Sequence, residues 1–226
     1  MCGRFTLTST PEALAERFGL DAPPGLAPRY NIAPGQDVLV VRERAGSRSA
    51  DLLRWGLVPA WSDSPASGPP LINARAETAA QRPAFRDAFR ARRCIVPASG
   101  FYEWADRGDF RQPYWIAPPD GAPFGIAGLW ERWIGFDGTP LESCALLTTS
   151  ANAQIAELHA RMPAILAPES YAAWLDPARA VDAFPDLLAT PSFALRPVGT
   201  RVNRVDHDDA ACLDAVPEPP RQPSLF

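Results

Sequence analysis

Hydrophobic positions along the chain fall mostly in short runs, separated by polar and proline-rich connections. These runs predict strands at residues 3–8, 38–43, 51–57, 94–97, 100–104, 113–117, 124–130, 144–148 and 193–198. Residues 38–43 and 51–57 flank a Gly-Ser turn, which predicts a hairpin. The segments Asp106–Asp109 and Pro119–Gly121 have the composition of two further hairpin turns.

Fewer segments have the spacing of a helix. The first predicted helix follows Thr10, an N-cap residue, and ends at Gly19. A longer one is predicted over residues 76–92 despite Pro83, and others near residues 151–158, 168–175 and 181–189. Because strands outnumber helices and are mostly linked by hairpins, we expect an α+β fold with a largely antiparallel, barrel-like sheet flanked by helices.

The length of 226 residues suits a single domain, which we place at residues 1–212. Residues 213–226 form a proline-rich polar tail whose composition is typical of disorder. No apolar run is long enough to span a membrane, and the start of the chain lacks the apolar region of a secretory signal. We therefore expect a cytoplasmic protein, associated with the nucleoid if it binds DNA, and nothing in the sequence demands more than a monomer.

Charge is distributed unevenly along the chain. All 22 basic residues are arginine, and there is no lysine. Residues 1–100 hold 13 arginines against 9 acidic residues, a net charge of +4, whereas residues 101–226 hold 9 against 17, a net charge of −8. An acidic protein is a poor candidate for nucleic-acid binding, but the basic N-terminal half keeps that function open. Much of the arginine bias is also what a GC-rich genome would produce.

The four cysteines, Cys2, Cys94, Cys144 and Cys212, form no CxxC pair. Their spacing argues against a zinc site, and in the cytoplasm we expect them to be reduced. The sequence also contains no glycine-rich phosphate-binding loop and no cluster of metal ligands. We therefore predict neither a metal nor another cofactor.

Cys2 is the first candidate for chemistry. Removal of Met1 would leave an N-terminal cysteine, whose α-amine has a reference pKa of about 7.7–8.0 and whose thiol lies two carbons away. The amine can form an imine with an aldehyde, and the thiol can then close a five-membered thiazolidine ring. The same group could act as an N-terminal nucleophile in amide hydrolysis. The alternative is an ordinary residue at a frayed terminus.

Four further polar residues are candidates. His159 follows a predicted helix and is either a helix-capping residue or an acid-base group. Glu103 lies between aromatic residues and is either an outward-facing strand residue or a partly buried acid with a raised pKa. Asn73 could orient a hydroxyl or carbonyl group, or simply form a turn. Arg75 could bind a phosphate or form a solvated ion pair with Glu77.

Two tryptophans lie beside an arginine in the segment Arg54–Trp61. Aromatic side chains beside arginines are typical of proteins that bind single-stranded nucleic acid. The alternative is that both rings belong to the core. We favour the core for Trp55 and leave Trp61 open between the two.

Six motifs together resemble one known family. They are Met1–Phe5, Arg29–Gln36, Arg54–Pro59, Asn73–Thr78, Gly100–Trp104 and His159–Pro163. In this order they resemble the SOS response-associated peptidase (SRAP) family of abasic-site processing proteins, over residues 2 to about 205. No motif of that family is found in the tail.

The resemblance implies covalent capture of abasic sites in single-stranded DNA through a thiazolidine, which shields the lesion. Cys2 would be the nucleophile, Asn73 would position its amine or the sugar, Glu103 would transfer protons, and His159 would stabilise the charged intermediate. Residues implied to hold the DNA strand are Arg4, Arg75 and Arg161 on phosphates, with Asn31, Trp61 and Thr148 lining the groove.

Two other functions compete with capture. One is a thiol-dependent peptidase that uses Cys2, Glu103 and His159 and acts either on other peptides or only on its own Met1. The other is a single-strand DNA binder without covalent chemistry, which uses only the arginines and aromatic residues. Peptide cleavage would support the first, and durable binding by Cys2→Ala under denaturing conditions would support the second.

Overall fold

The computed structural model describes residues 2–22, 25–44, 46–181 and 184–218. Its strands are β1 Phe5–Leu7, β2 Arg29–Ile32, β3 Asp37–Arg44, β4 Ser47–Trp55, β5 Asn73–Arg75, β6 Arg93–Ala98, β7 Gly100–Asp106, β8 Arg111–Ala117, β9 Phe124–Ile134, β10 Pro140–Ser150, β11 Arg161–Pro163, β12 Ile165–Leu166 and β13 Ala194–Pro197. Its α-helices are α1 Pro11–Phe18, α2 Ala76–Ala79, α3 Arg86–Ala91, α4 Ala153–Ala156 and α5 Tyr171–Leu175. Short 3₁₀ helices cover Pro168–Ser170, Phe184–Leu187, Thr200–Asn203 and Ala210–Leu213.

The strands form two sheets. One has the order β13-β8-β7-β1-β2, and the other the order β11-β10-β4-β3-β6-β9-β12. Because β10 pairs with β9 as well as with β4, the second sheet closes on itself into a five-stranded barrel, and β5 joins it beside β10. Among the strands of the described residues, only the pairings of β10 with β4 and with β5 are parallel. The expected α+β fold with a largely antiparallel, barrel-like sheet is confirmed.

The main core lies between these sheets. All three residues of β1 are buried, and the Phe5 ring meets Trp55 edge-on with 5.2 Å between ring centroids. Trp55 is fully buried and donates a hydrogen bond from its indole nitrogen to the carbonyl oxygen of Ile72 at 2.9 Å. The prediction that Trp55 belongs to the core is therefore confirmed.

Local signals predicted some helices well and others poorly. Thr10 caps α1 through its hydroxyl, and Gly19 ends it with φ of +65°. The single helix expected over residues 76–92 is wrong: α2 ends at Ala79 and α3 begins at Arg86. Pro83 lies in the turn between them, where its missing N–H and its ring prevent a continuous helix.

The later predicted helices are short in the structure. The segment near residues 151–158 contains only α4, and the segment near 168–175 is a 3₁₀ turn followed by α5. Within the predicted helix 181–189, a 3₁₀ turn covers Phe184–Leu187, and residues 182 and 183 lie outside the described part of the chain.

Of the two predicted hairpin turns, only the first joins paired strands. Residues 106–109 connect β7 to β8, and Asp106 pairs with Arg111. Gly121 donates a backbone hydrogen bond to Pro118 at 3.0 Å, so a turn does form there. The strands on either side of it, β8 and β9, belong to different sheets, and the hairpin prediction is wrong because turn composition does not specify which strands pair.

Part of the proline-rich tail packs on the domain. Val216 donates a backbone hydrogen bond to Pro197, Ala215 bridges Val198, and the Glu218 carboxylate accepts a hydrogen bond from Tyr114. Residues 219–226 lie outside the described residues, and the domain boundary at residue 212 stays a prediction. Among the described helices, none has the length and apolar character needed to cross a bilayer.

Candidate active site

Cys2 lies just before β1, an inner strand of the five-stranded sheet that is flanked by β7 and β2. Phe5 on β1 pairs with Ile32 of β2 on one side and with Phe101 of β7 on the other. The Cys2 side chain is fully buried, and its Sγ donates to the carbonyl oxygen of Arg4 at 3.7 Å. Burial raises the pKa of the Cys2 thiol, and the nearby Glu103 charge raises it further. The thiol is therefore held in its protonated form.

Asn73 holds the backbone of Cys2 from the other sheet. It begins β5, and its Nδ2 donates a hydrogen bond to the carbonyl oxygen of Cys2 at 2.8 Å. Its Oδ1 is buried without a hydrogen-bond partner among the described residues. A buried amide oxygen without a partner costs free energy, so this atom is a ready acceptor for an N–H or O–H group at the site.

Glu103 lies on β7, which pairs directly with β1. Continuing the Phe5–Phe101 register places Glu103 opposite Gly3, next to Cys2. Glu103 is buried, with only 4% of its surface exposed to solvent. Burial raises the pKa of the Glu103 carboxyl, and the charge of His159 partly opposes that shift. Glu103 is thus suited to accept and release protons, as the sequence predicted for a buried acid.

His159 follows α4, and its orientation is set by the next residues of the chain. The backbone N–H of Arg161 donates to His159 Nδ1 at 2.9 Å. The same Nδ1 lies 3.1 Å from the carbonyl oxygen of Arg161, so the backbone of Arg161 holds this edge of the ring in place. His159 and Glu103 are close enough to interact electrostatically.

A second group of predicted residues lies at the adjoining edge formed by β5, β10 and β11. Thr148 of β10 pairs with Arg75 on one side and with Pro163 on the other. Arg75 is exposed, whereas Thr148 is buried. Arg161 donates to the carbonyl oxygen of Thr148 at 2.5 Å.

Glu77, the partner considered for Arg75, pairs with Arg161 instead. Glu77 accepts hydrogen bonds from Arg161, at 2.6 Å to Oε1 and 2.8 Å to Oε2. This contact lowers the pKa of Glu77, while burial acts in the opposite direction. The solvated pair of Arg75 with Glu77 is therefore replaced by a pair with Arg161, and the Arg75 side chain has no hydrogen-bond partner among the described residues.

Two other predicted DNA contacts are used inside the protein. Arg4 donates to Asn31 Oδ1 at 2.7 Å and to the carbonyl oxygen of Val202 at 2.8 Å. Asn31 is fully buried, and its Nδ2 lies within hydrogen-bond distance of the carbonyl oxygens of Val202, Arg204 and His207. These contacts tie the segment after β13 to β1 and β2. The DNA roles of Arg4 and Asn31 stay predictions.

Trp61 has the exposure expected of a stacking residue. It lies in the loop after β4 with 68% of its surface exposed. Of the two readings left open for this ring, the structure excludes the core. Contact with DNA stays a prediction.

Asp208 is a residue that the sequence analysis missed. Its carboxylate accepts hydrogen bonds from the backbone N–H groups of Tyr30 and Asn31, at 2.5 and 2.8 Å, and forms an ion pair with Arg29. Asp208 lies about 180 residues from these partners and among other acidic residues. No local signal in the sequence could have found this pairing.

The arrangement brings Cys2, Asn73, Glu103 and His159 together, with Arg75, Thr148 and Arg161 at the adjoining strand edge. A nucleophile, a proton-transfer group and a hydrogen-bond donor side by side can perform addition to a carbonyl group. Within the described residues, no three His, Cys, Asp or Glu side chains are grouped to hold a metal ion.

Comparison with known proteins agrees with the family resemblance. A family model described as SOS response associated peptidase (SRAP) matches residues 1–205. The chain is 38% identical to abasic site processing protein YoaM of Bacillus subtilis, over 95% of this chain and 98% of that protein. It is 37% identical to abasic site processing protein YedK of Escherichia coli, over 77% of this chain and 79% of that protein.

Solved structures show the same fold. A protein from Bordetella bronchiseptica superposes with a TM-score of 0.77 at 30% identity, covering 88% of this chain and all of that one. A protein from Bacteroides thetaiotaomicron superposes with a TM-score of 0.83 at 24% identity, covering 95% of this chain and all of that one.

Proposed function

Because the chain belongs to the SOS response associated peptidase (SRAP) family, we propose that it processes abasic sites in DNA by capturing them covalently on Cys2. The relatives named above carry the description abasic site processing protein. The substrate is the ring-opened aldehyde of an abasic site in single-stranded DNA. The stable adduct shields the lesion from cleavage.

The reaction requires Met1 to be removed, so that Cys2 carries the α-amine. The amine adds to the aldehyde carbon and water leaves, which forms an imine. The thiol sulfur then adds to the imine carbon, and the thiol proton is transferred to the imine nitrogen. The product is a thiazolidine ring, and one water is released for each aldehyde captured.

The residues around Cys2 and at the adjoining strand edge each have a role in this reaction. Asn73 holds the Cys2 carbonyl, and its open Oδ1 accepts a hydrogen bond from the amine or the sugar. Glu103 takes the proton from the thiol and passes it to the imine nitrogen as the ring closes. His159 donates from Nε2 to the sugar hydroxyl. Arg75 and Arg161 bind the flanking phosphates, and Trp61 stacks on a base.

One observation carries the proposal. Cys2 lies in a chain without lysine, beside a buried carboxylic acid and an asparagine that holds its backbone. No side-chain amine can form an imine, so an adduct trapped with borohydride must lie on residue 2. An adduct mapped to any other residue would contradict the mechanism.

The test is a denaturing gel of the protein with a single-stranded oligonucleotide that contains one abasic site. Cys2→Ala is run alongside, and intact mass establishes whether Met1 is present. We expect a slowly migrating band that survives denaturation and is absent from the variant. No band from protein that lacks Met1 would overturn covalent capture. Affinity should also fall steeply as salt rises, because arginines bound to phosphates release counterions.

The family description favours one second candidate, a peptidase that uses the same Cys2. Attack of the Cys2 thiol on an amide carbonyl, with the thiol proton passed through Glu103 to the departing amine, would form a thioester that water then hydrolyses. Cleavage of peptides in trans would support this activity, whereas reaction with abasic DNA and none with peptides would reject it. Action in the cytoplasm, as a monomer and without a cofactor, stays a prediction.

A further inference from the structure

Two neighbouring cavities lead away from the strand edge that carries Arg161. The smaller, about 250 Å³, is lined by Glu77, Thr149, Phe184 and Leu188 among others. The larger, about 880 Å³, is lined by Arg86, Arg90, Arg93 and Arg179 among others. Ala80, Phe89 and Val181 line both cavities. The two cavities are therefore adjacent, and we refer to them together as the α3 groove.

The α3 groove begins at the candidate site. Glu77, at its near end, is the carboxylate that pairs with Arg161. Thr149, beside it, directly follows Thr148 and pairs with Met162 of β11. A strand of DNA held by Arg161 therefore lies at the entrance of the groove.

The far end of the α3 groove is basic. Arg86, Arg90 and Arg179 are exposed, and Arg86 and Arg90 lie four residues apart on one face of α3. The side chains of Arg90 and Arg179 have no hydrogen-bond or ion-pair partner among the described residues. Arg86 has one, Asp87 at 3.6 Å, and because both of these side chains are more than half exposed the pair contributes little.

The walls of the groove are held in place by Arg93. Its buried guanidinium donates hydrogen bonds to the carbonyl oxygens of Phe89 and Arg90 on one wall and of Trp174, Asp176 and Arg179 on the other. Five bonds from one side chain fix the C-terminal end of α3 against the chain that follows α5. The spacing of Arg90 and Arg179 is thus set by the fold before any ligand arrives.

We propose that the α3 groove binds the single strand of DNA that continues from the lesion. Bases contact the apolar walls at Ala80, Val181 and Leu188, which are at least partly exposed, and phosphates pair with Arg86, Arg90 and Arg179. Apolar and aromatic surface beside free arginines is how proteins hold single strands without reading their sequence. This role rests on the proposed function, since it extends the DNA path from the same site.

The test compares Arg90→Gln/Arg179→Gln with a control variant, Arg44→Gln/Arg111→Gln, which removes the same charge from exposed arginines of other strands. Affinity is measured for a long and a short oligonucleotide, about 20 and about five nucleotides, each with a non-reactive abasic analogue. For the long one we expect the groove variant to bind about tenfold more weakly, with a salt dependence shallower by about 1.4 counterions, about 0.7 for each of the two phosphate contacts removed. For the short one we expect both variants to match the parent, and Arg90→Lys/Arg179→Lys should restore the salt dependence.

The outcomes separate this inference from the proposed function. Equal losses in the groove and control variants, or equal losses on the two oligonucleotides, would overturn the α3 groove as the path of the strand. Formation of the covalent adduct with a short reactive oligonucleotide depends only on Cys2 and its neighbours. If parent protein that lacks Met1 forms no such adduct, the proposed function fails whatever the groove variant does.

Discussion

Arg161 binds both carboxylate oxygens of Glu77, at 2.6 and 2.8 Å, while it also donates to the carbonyl oxygen of Thr148. This two-point pairing fixes the orientation of the Arg161 guanidinium, and Arg161 follows His159 by two positions in the chain. It also occupies the groups that a phosphate would use. A DNA phosphate must therefore share Arg161 with Glu77 or displace it.

Replacing Glu77 by Gln is expected to strengthen binding of single-stranded DNA about fivefold, because removing a partly exposed competing charge is worth about 1 kcal/mol. The salt dependence should steepen by about 0.7 counterion for one additional phosphate contact. Fluorescence anisotropy across a salt series measures both. Glu169→Gln removes a charge from another exposed position and is the control. Weaker binding by Glu77→Gln would mean that Glu77 orients Arg161 for phosphate rather than competing with it.

Asn73→Ala is expected to slow formation of the adduct about tenfold. The change removes the hydrogen bond to the Cys2 carbonyl, and a bond at a buried site is worth about 1 kcal/mol or more. Rapid-quench measurement of the single-turnover rate is the direct check. Affinity for a non-reactive abasic analogue should change little, because Asn73 positions the nucleophile. A loss of affinity equal to the loss in rate would instead make Asn73 a binding residue.

Trp61→Ala is expected to weaken single-strand binding by roughly 1–3 kcal/mol, the usual contribution of one stacked base. The ring is 68% exposed, so its removal should leave the thermal unfolding temperature unchanged. Phe110→Ala removes another exposed aromatic ring, on the loop between β7 and β8, and serves as the control. Equal binding by the two variants would exclude Trp61 from the DNA path.

Glu103→Gln is expected to stabilise the protein at neutral and alkaline pH. Burial raises the pKa of Glu103 in the folded state above its ordinary value of 4.5, so above that pH the folded state binds more protons than the unfolded state. The free energy of unfolding therefore falls as pH rises through this window, and glutamine removes that loss.

Thermal unfolding of the parent and Glu103→Gln between pH 4 and pH 8 tests the sign. At pH 8 the variant should unfold at a higher temperature than the parent, by about 2–4 °C for each kcal/mol gained in the free energy of unfolding. The difference should vanish toward pH 4. Glu16→Gln, an exposed position on α1, should show no such trend. A variant that is less stable than the parent at pH 8 would mean that contacts of the ionised carboxylate outweigh its burial.

Local signals in the sequence were strongest where one segment determines its own structure. Thr10 and Gly19 delimit α1 because capping depends on neighbouring residues only. Pro83 was underestimated, because the apolar spacing on both sides of it suits either one helix or two. The turn at Pro119–Gly121 shows what local signals do not determine. Its residues specify that the chain turns, but not the sheet to which the next strand belongs.

The sequence identifies the residues of the candidate site better than it identifies their hydrogen-bond and ion-pair partners. Cys2, Asn73, Glu103 and His159 were chosen from chemistry and from motifs, and the fold places them together. The partner of Glu77 was not predictable, because Arg161 lies 84 residues away and Arg75 only two. The internal roles of Arg4 and Asn31 likewise depend on residues 202–208, which reach them only after the chain has folded.

The complete burial of the Cys2 side chain also bears on how the protein endures between encounters with its substrate. Oxidation of a cysteine by peroxide is fastest for a thiolate that is open to solvent, whereas the Cys2 sulfur is buried and its pKa is raised. Cys94, Cys144 and Cys212 are buried as well. Because Cys2 forms one stable adduct, each molecule can react only once. Its burial and raised pKa slow its oxidation, so that the thiol is still reduced when a DNA strand brings an aldehyde to the site.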